Sequence, residues 1–103
     1  MPIHMTAQYI LNPRSLKNCK QALWELGDQI KKNEPGTTLY LIQQKILNPY
    51  CFLHTMTFDN EAALLFHRNS KSAQRFVENI YPECKKPVGF IEDNLCRKRR
   101  DNS

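Results

Sequence analysis

The chain has no stretch approaching the roughly 20 consecutive apolar residues that cross a bilayer. It has only three glycines, so a glycine-rich phosphate loop, a P-loop and a dinucleotide fingerprint are all missing. No His-Glu-x-x-His motif occurs. The four cysteines, Cys19, Cys51, Cys84 and Cys96, include no Cys-x-x-Cys pair. A structural zinc site usually takes two ligands from one tight turn, so four free thiols in a reducing compartment are the expectation, and no metal is expected. The N-terminus (Met1, Pro2, Ile3, His4) lacks the basic and apolar blocks of a signal peptide, and a cytoplasmic location is expected.

Basic charge is short everywhere but at one end. The formal net charge is +5, yet Arg97, Lys98, Arg99 and Arg100 alone hold four of the fifteen Lys and Arg. The other eleven face ten Asp and Glu, which leaves the body close to neutral. A nucleic-acid-binding face needs a basic patch within the fold, so nucleic acid is argued against as a partner. The basic run itself could touch nucleic acid or anionic lipid, but a solvated chain end is the simpler reading. Deletion of residues 97–103 is expected to leave folding and dimerisation intact.

What is present is an ordinary globular balance, 41% hydrophobic and 24% charged over 103 residues, and one domain is the prior. Residues 3–11 alternate, with Ile3, Met5, Ala7, Tyr9 and Leu11 on one side, which reads as a strand. Asn12-Pro13 supplies an N-cap and a first-turn proline. Leu16, Cys19, Leu23, Leu26 and Ile30 then recur at three- and four-residue spacing, one face of a helix running to about Lys32. Asn33-Glu34-Pro35-Gly36 stops it. Thr37 to Gln44 is rich in β-formers, and Tyr50 to Phe58 alternates after the Asn48-Pro49 turn, giving a hairpin. Asp59 is placed to cap a second helix carrying Ala62 to His67. Asn69-Ser70 breaks it, with Ser70 or Ser72 capping a continuation whose stripe is Ala73, Phe76, Val77, Ile80 and Tyr81. Val88 to Leu95 is a weaker fourth strand.

The order β-α-β-β-α-β is the ferredoxin-like split βαβ arrangement: an α+β domain over residues 1–95, with a four-stranded antiparallel sheet and its helices on one face. Residues 96–103 form a basic polar tail. Two helices can cover only one face of such a sheet, and a solvated second face should turn polar. Here Leu39 and Leu41 oppose Tyr40 and Ile42, and Cys51 and Leu53 oppose Phe52, Met56 and Phe58. Both faces carry apolar groups, so a second copy packed sheet on sheet is expected, a homodimer forming a dimeric α+β barrel. The alternative is that these residues are scattered and tolerated.

The segment from Tyr50 to Ile80 carries a resemblance. A strand ending in Met56-Thr57-Phe58 is followed by Asp59-Asn60-Glu61-Ala62-Ala63-Leu64, then Phe66-His67, Ser70 and Phe76. Over about residues 3–95 the chain resembles the antibiotic biosynthesis monooxygenase family, whose members are dimeric α+β barrels. The resemblance implies a pocket between the sheet and the helices, lined partly by the first and third strands. It implies one of several outcomes: cofactor-free oxygenation of quinol-like or polycyclic phenols, haem degradation, or, as for some members, no known reaction. The positions that the haem-degrading branch uses hold Tyr9, His67 and Val77 here and do not match, and Trp24 on the first helix cannot replace that branch's tryptophan. Haem degradation is therefore disfavoured.

His67, which falls at the family's histidine, is the candidate catalytic residue: a neutral imidazole can accept a phenolic proton and leave a phenolate that reacts with oxygen more readily. The alternative is a histidine that bridges the helix break by hydrogen bonding. Tyr9, Tyr40, His54 and Phe66 are the candidate substrate contacts. The two tyrosines can orient a phenolic ligand, or else pack as amphipathic core. His54 shares the alternation of Phe52 and Met56 and faces the cavity if they do, or else an interface. Trp24 is read as packing, and adjacent Glu92 and Asp93 point to opposite sheet faces. The expected function is a cofactor-independent monooxygenase acting on a quinol-like or aromatic phenolic small molecule. The alternative is a non-catalytic, ligand-binding or regulatory homodimer.

Overall fold

The computed structural model describes residues 1–93. The strands are β1 (Ile3–Ile10), β2 (Thr37–Gln44), β3 (Cys51–Phe58) and β4 (Gly89–Asp93), and the helices are α1 (Leu16–Asn33), α2 (Glu61–Arg68) and α3 (Lys71–Asn79). Short 3₁₀ turns at Pro13–Ser15 and Tyr81–Glu83 precede α1 and follow α3. The sheet is antiparallel throughout, in the order β2-β3-β1-β4. This is the ferredoxin-like α+β arrangement expected from the alternation and the helix stripes. The basic tail, residues 96–103, lies outside the described residues. No described helix is long and apolar enough to cross a membrane.

Alternation decides which side chains enter the core. On β1, Met5, Ala7 and Tyr9 are buried, and Leu11 just beyond is wholly so. In register with them, Phe52, His54, Met56 and Phe58 of β3 are buried. The α1 stripe of Cys19, Leu23, Leu26 and Ile30 covers Tyr9, Leu11 and Phe52 together with Ile80. Leu64 of α2 covers a second cluster of Met5, Ala7, Met56 and Phe58. Tyr40 packs against both clusters, and so stands at the seam between them.

Several local details differ from the sequence expectations. The proline turn is a 3₁₀ segment, and the Asn12 side chain makes no cap hydrogen bond. Asn60, rather than Asp59, caps α2, accepting from the Ala63 amide at 2.9 Å. The helix start is shifted by one residue because the cap side chain must reach the amide three positions on. Ser70 caps α3 as expected, accepting from the Ala73 amide. Trp24 is 45% exposed, because it sits beside Leu23 rather than in the stripe that faces the sheet. Strand β4 begins at Gly89, one residue later than expected, and the last two residues of the expected run, Asn94 and Leu95, lie outside the described residues.

Candidate active site

The two core clusters leave a cavity of about 390 Å³ between the sheet and the helices. Its floor is Met5 and Ala7 of β1, Tyr40 of β2, His54, Met56 and Phe58 of β3, and Phe90 of β4. Its roof is Leu26 of α1, Leu64, His67 and Arg68 of α2, and Ala73, Phe76 and Val77 of α3, with Tyr81 beyond. Apolar walls with a few convergent polar groups are the usual form of a small-molecule site.

Three of the five sequence candidates line it: His67, Tyr40 and His54. Tyr9 stands one layer behind. Its ring is 3% exposed, stacks on Phe52 with centroids 5.9 Å apart and meets Phe76 edge-on. It is therefore a support for the site rather than part of its wall. Phe66 is not brought to the cavity; it is 58% exposed and borders a separate shallow hollow with Glu34, Pro35 and Ala62. Neighbouring helix positions lie about 100° apart, so the turn that aims Leu64, His67 and Arg68 inward sends Phe66 away.

His54 is 1% exposed and hydrogen bonded on both sides. The Tyr9 hydroxyl lies 2.8 Å from Nε2, and the Tyr40 hydroxyl 2.8 Å from Nδ1. Burial, with the neighbouring His67 adding to it, pushes the His54 pKa down to about 4, so the ring is neutral at physiological pH. Burial likewise raises the pKa of both tyrosines, with Tyr40 raising Tyr9 further and Glu34 raising Tyr40. Both remain phenols. A neutral imidazole has one N–H, so one tyrosine donates to it and the other accepts.

The two arrangements are not equivalent. If Nε2–H donated to Tyr9, the buried Tyr9 O–H would have no acceptor among the described residues, at a cost of about 1–3 kcal/mol. With Tyr9 donating to Nε2, Nδ1–H donates to the Tyr40 oxygen, and the Tyr40 O–H is released toward the cavity that Tyr40 lines. Hydrogen-bond accounting therefore selects the second arrangement. It also leaves His54 with no nitrogen free to take a substrate proton.

His67 is held differently. Its Nδ1 lies 2.8 Å from Oε1 of Glu34, whose side chain is 2% exposed. A carboxylate only accepts, so Nδ1 donates and Nε2, on the opposite edge of the ring, is left for the cavity. Thr37 Oγ1 donates to the same carboxylate oxygen at 3.0 Å. The His67 carbonyl also closes the helix break, accepting from Ser70 Oγ at 2.7 Å. The bridging role and the cavity-facing role therefore coexist, one through the backbone and one through the ring. Glu34 was legible only as part of a helix stop, and its partner is 33 residues away.

Among the described residues no group of three or more His, Cys, Asp or Glu could hold a metal ion. Cys19, Cys51 and Cys84 are free thiols.

Fold and site together define a ferredoxin-like α+β domain that encloses a ligand-sized cavity between sheet and helices. The family model described as antibiotic biosynthesis monooxygenase matches residues 2–79, and the chain belongs to that family. The fold is shared with solved structures of low identity. A protein from Nitrosomonas europaea, described as a candidate antibiotic biosynthesis monooxygenase, is 13% identical with a TM-score of 0.83, over 89% of this chain and 88% of that one. One from Caulobacter crescentus with the same description is 15% identical with a TM-score of 0.83, over 89% and 87%. A protein from Pseudomonas aeruginosa is 20% identical with a TM-score of 0.78, over 89% and 91%. No curated protein matches the chain in sequence.

Proposed function

We propose that this protein is a cofactor-independent monooxygenase that oxidises a quinol-like or aromatic phenolic small molecule, with His67 as the base. The observation that carries the reading is His67 at the cavity wall, its Nδ1 tied to a buried carboxylate and its Nε2 free. A carboxylate behind an imidazole fixes its tautomer and stabilises the imidazolium formed when Nε2 takes a proton. In the reaction the phenolic O–H gives its proton to His67, and the Tyr40 O–H stabilises the phenolate. Molecular oxygen then adds to the electron-rich ring. One oxygen atom stays as a new carbonyl, and the other leaves as water with the phenolic hydrogen and the displaced ring hydrogen. The apolar walls suit a flat aromatic ring and keep bulk water from the anion.

The same reading includes a homodimer in the cytoplasm. Leu39 and Leu41 on the face of β2 turned away from the helices are 45% and 44% exposed, and Ile91 of β4 on that same side is 66% exposed. A second copy on that face would cover them.

Oxygen uptake with a panel of reduced quinols and phenols tests the chemistry, with His67→Ala as the control. Uptake that falls to background in the variant supports the assignment. Uptake equal in the two proteins removes His67 as base. A folded protein that binds these compounds without consuming oxygen points to a ligand-binding or regulatory dimer instead.

A further inference from the structure

The cavity has a closed end and an open one. Phe58, His54, Ala7 and Met56 are buried, whereas Arg68, Val77 and Phe90 are exposed and mark where the cavity meets solvent. Arg68 is the only arginine, lysine or carboxylate in the lining. Tyr40, His54 and Tyr81 are polar but uncharged, and Tyr81 meets Phe76 edge-on with centroids 5.5 Å apart.

Arg68 makes no hydrogen bond or ion pair among the described residues. Leu64 and Leu65, one turn back on α2, offer it no carboxylate, and α3 opens on Lys71, a second cation. Glu92 lies on the same side of β4 as Phe90 but is not part of the lining. The one carboxylate tied to the site, Glu34, is buried behind His67, and its Oε2 has no hydrogen-bond partner among the described residues. The cavity therefore has a positive mouth and a negative charge behind its inner wall.

Resting on the monooxygenase reading, we propose that the substrate is an aromatic hydroxy acid, and that Arg68 is the specificity residue that binds its carboxylate at the cavity mouth. The phenolic oxygen goes inward, where it donates to His67 Nε2 and accepts from the Tyr40 O–H. The carboxylate stays outside against the guanidinium, whose planar fork matches it with two parallel hydrogen bonds. The reverse orientation would set the carboxylate against the wall that Glu34 backs, and the field of Glu34 is felt there, since it adds to the raised pKa of Tyr40. One cation suits one negative charge. A phosphate monoester carries close to two at neutral pH and would leave the second unmatched. Arg68 follows His67 directly on α2, so anchoring the carboxylate also places the phenol against the base. A cation in the last turn of a helix complements the helix dipole as well, but that role needs no ligand and gives no preference among ligands.

Calorimetric titration of the full chain, without oxygen, tests the proposal. The probes are two hydroxynaphthoates, one with the carboxylate on the hydroxyl-bearing ring and one with it on the other ring, each beside its own carboxamide. At least one acid is expected to bind roughly tenfold more tightly than its amide at low salt, and the gap is expected to narrow as salt rises. Arg68→Gln is expected to remove the gap while leaving amide binding and the circular dichroism little changed. Arg68→Lys keeps the charge without the fork and is expected to retain only part of it. Lys71→Gln removes the neighbouring cation outside the cavity and is expected to preserve it. Equal binding of acid and amide in both pairs, or a gap that survives Arg68→Gln, overturns the proposal. A gap lost as fully in Lys71→Gln would assign it to the general charge of this face and overturn it too. The monooxygenase reading fails separately. Acid preference without oxygen uptake would remove the oxidation and leave the recognition by Arg68, and uptake without acid preference would do the reverse.

Discussion

The Glu34 carboxylate accepts from His67 Nδ1 at 2.8 Å, joining the residue that ends α1 to the last turn of α2. Charge-assisted hydrogen bonds of this kind are worth about 1.5–3 kcal/mol, and here that energy is available to the imidazolium state. Glu34→Gln keeps the volume and an acceptor but removes the charge. For a substrate that the protein oxidises, kcat is expected to fall roughly ten- to a hundredfold, with little change in KM. Steady-state oxygen uptake checks this, and a wild-type kcat in the variant would show that His67 works without its carboxylate.

His54 makes stability depend on pH. Its pKa is pushed from 6.5 to about 4 in the folded chain, so the unfolded chain binds the proton first as the pH falls. The sign follows. The contribution is complete above the unfolded value of 6.5, and it is lost progressively as the pH drops toward 4. Between neutral pH and about pH 5 the loss from this group is about 2 kcal/mol. Urea unfolding at the two pH values, in the parent protein and in His54→Gln, isolates it. The variant is expected to lose about 2 kcal/mol less across that interval, and equal losses would mean that His54 titrates normally.

Gly36 sits where the start of β2 passes under α2. A Cβ there would meet the Ala63 Cβ at 2.7 Å, closer than two carbons can stand. The Gly36 carbonyl accepts from the Asp59 amide at 2.9 Å, which ties this strand end to the lead-in of α2 and limits its retreat. Gly36→Ala is expected to destabilise the fold by about 1–3 kcal/mol through overpacking, measurable as a lower urea midpoint. An unchanged midpoint would show that α2 moves aside freely. Should α2 move, His67 moves with it, so loss of activity beyond the loss of folded protein is also expected.

The outer face of the sheet offers a test of assembly. Leu41 is 44% exposed in the single chain, so a charge there is nearly neutral for folding if the protein is monomeric. If a second copy covers this face, Leu41→Glu buries an unpaired carboxylate in the interface. Sedimentation velocity is expected to show a dimer for the parent chain and a monomer for the variant. A parent chain that sediments as a monomer at all concentrations would rule out the sheet-to-sheet pairing.

Most of the framework was legible because it rests on short-range periodicity. The period of two in residues 3–11 names the buried side of β1. The 3–4 spacing of Cys19, Leu23, Leu26 and Ile30 names the buried side of α1. Alternation grouped His54 with Phe52 and Met56, and Tyr40 with Ile42, but the fold decided that these sides face the helices. Trp24 and Phe66 were misjudged for one reason: each is the neighbour of an inward residue on a helix, where one step turns the side chain by about 100°. An apolar identity suggested contact, and the helix geometry overrode it.

What the sequence determined by itself is the order of strands and helices and the grouping of their faces, since these follow from local pattern. What only the tertiary structure decided is the working arrangement of the site. Glu34 meets His67 across 33 residues, and Tyr9 meets His54 across 45. Those pairings exist because the folded sheet and helices bring distant side chains within hydrogen-bond reach, and burial favours pairing of polar atoms, although Glu34 Oε2 has no hydrogen-bond partner among the described residues. No local signal marks Glu34 as the support for a base, or Tyr9 as the residue that turns the Tyr40 hydroxyl toward the cavity.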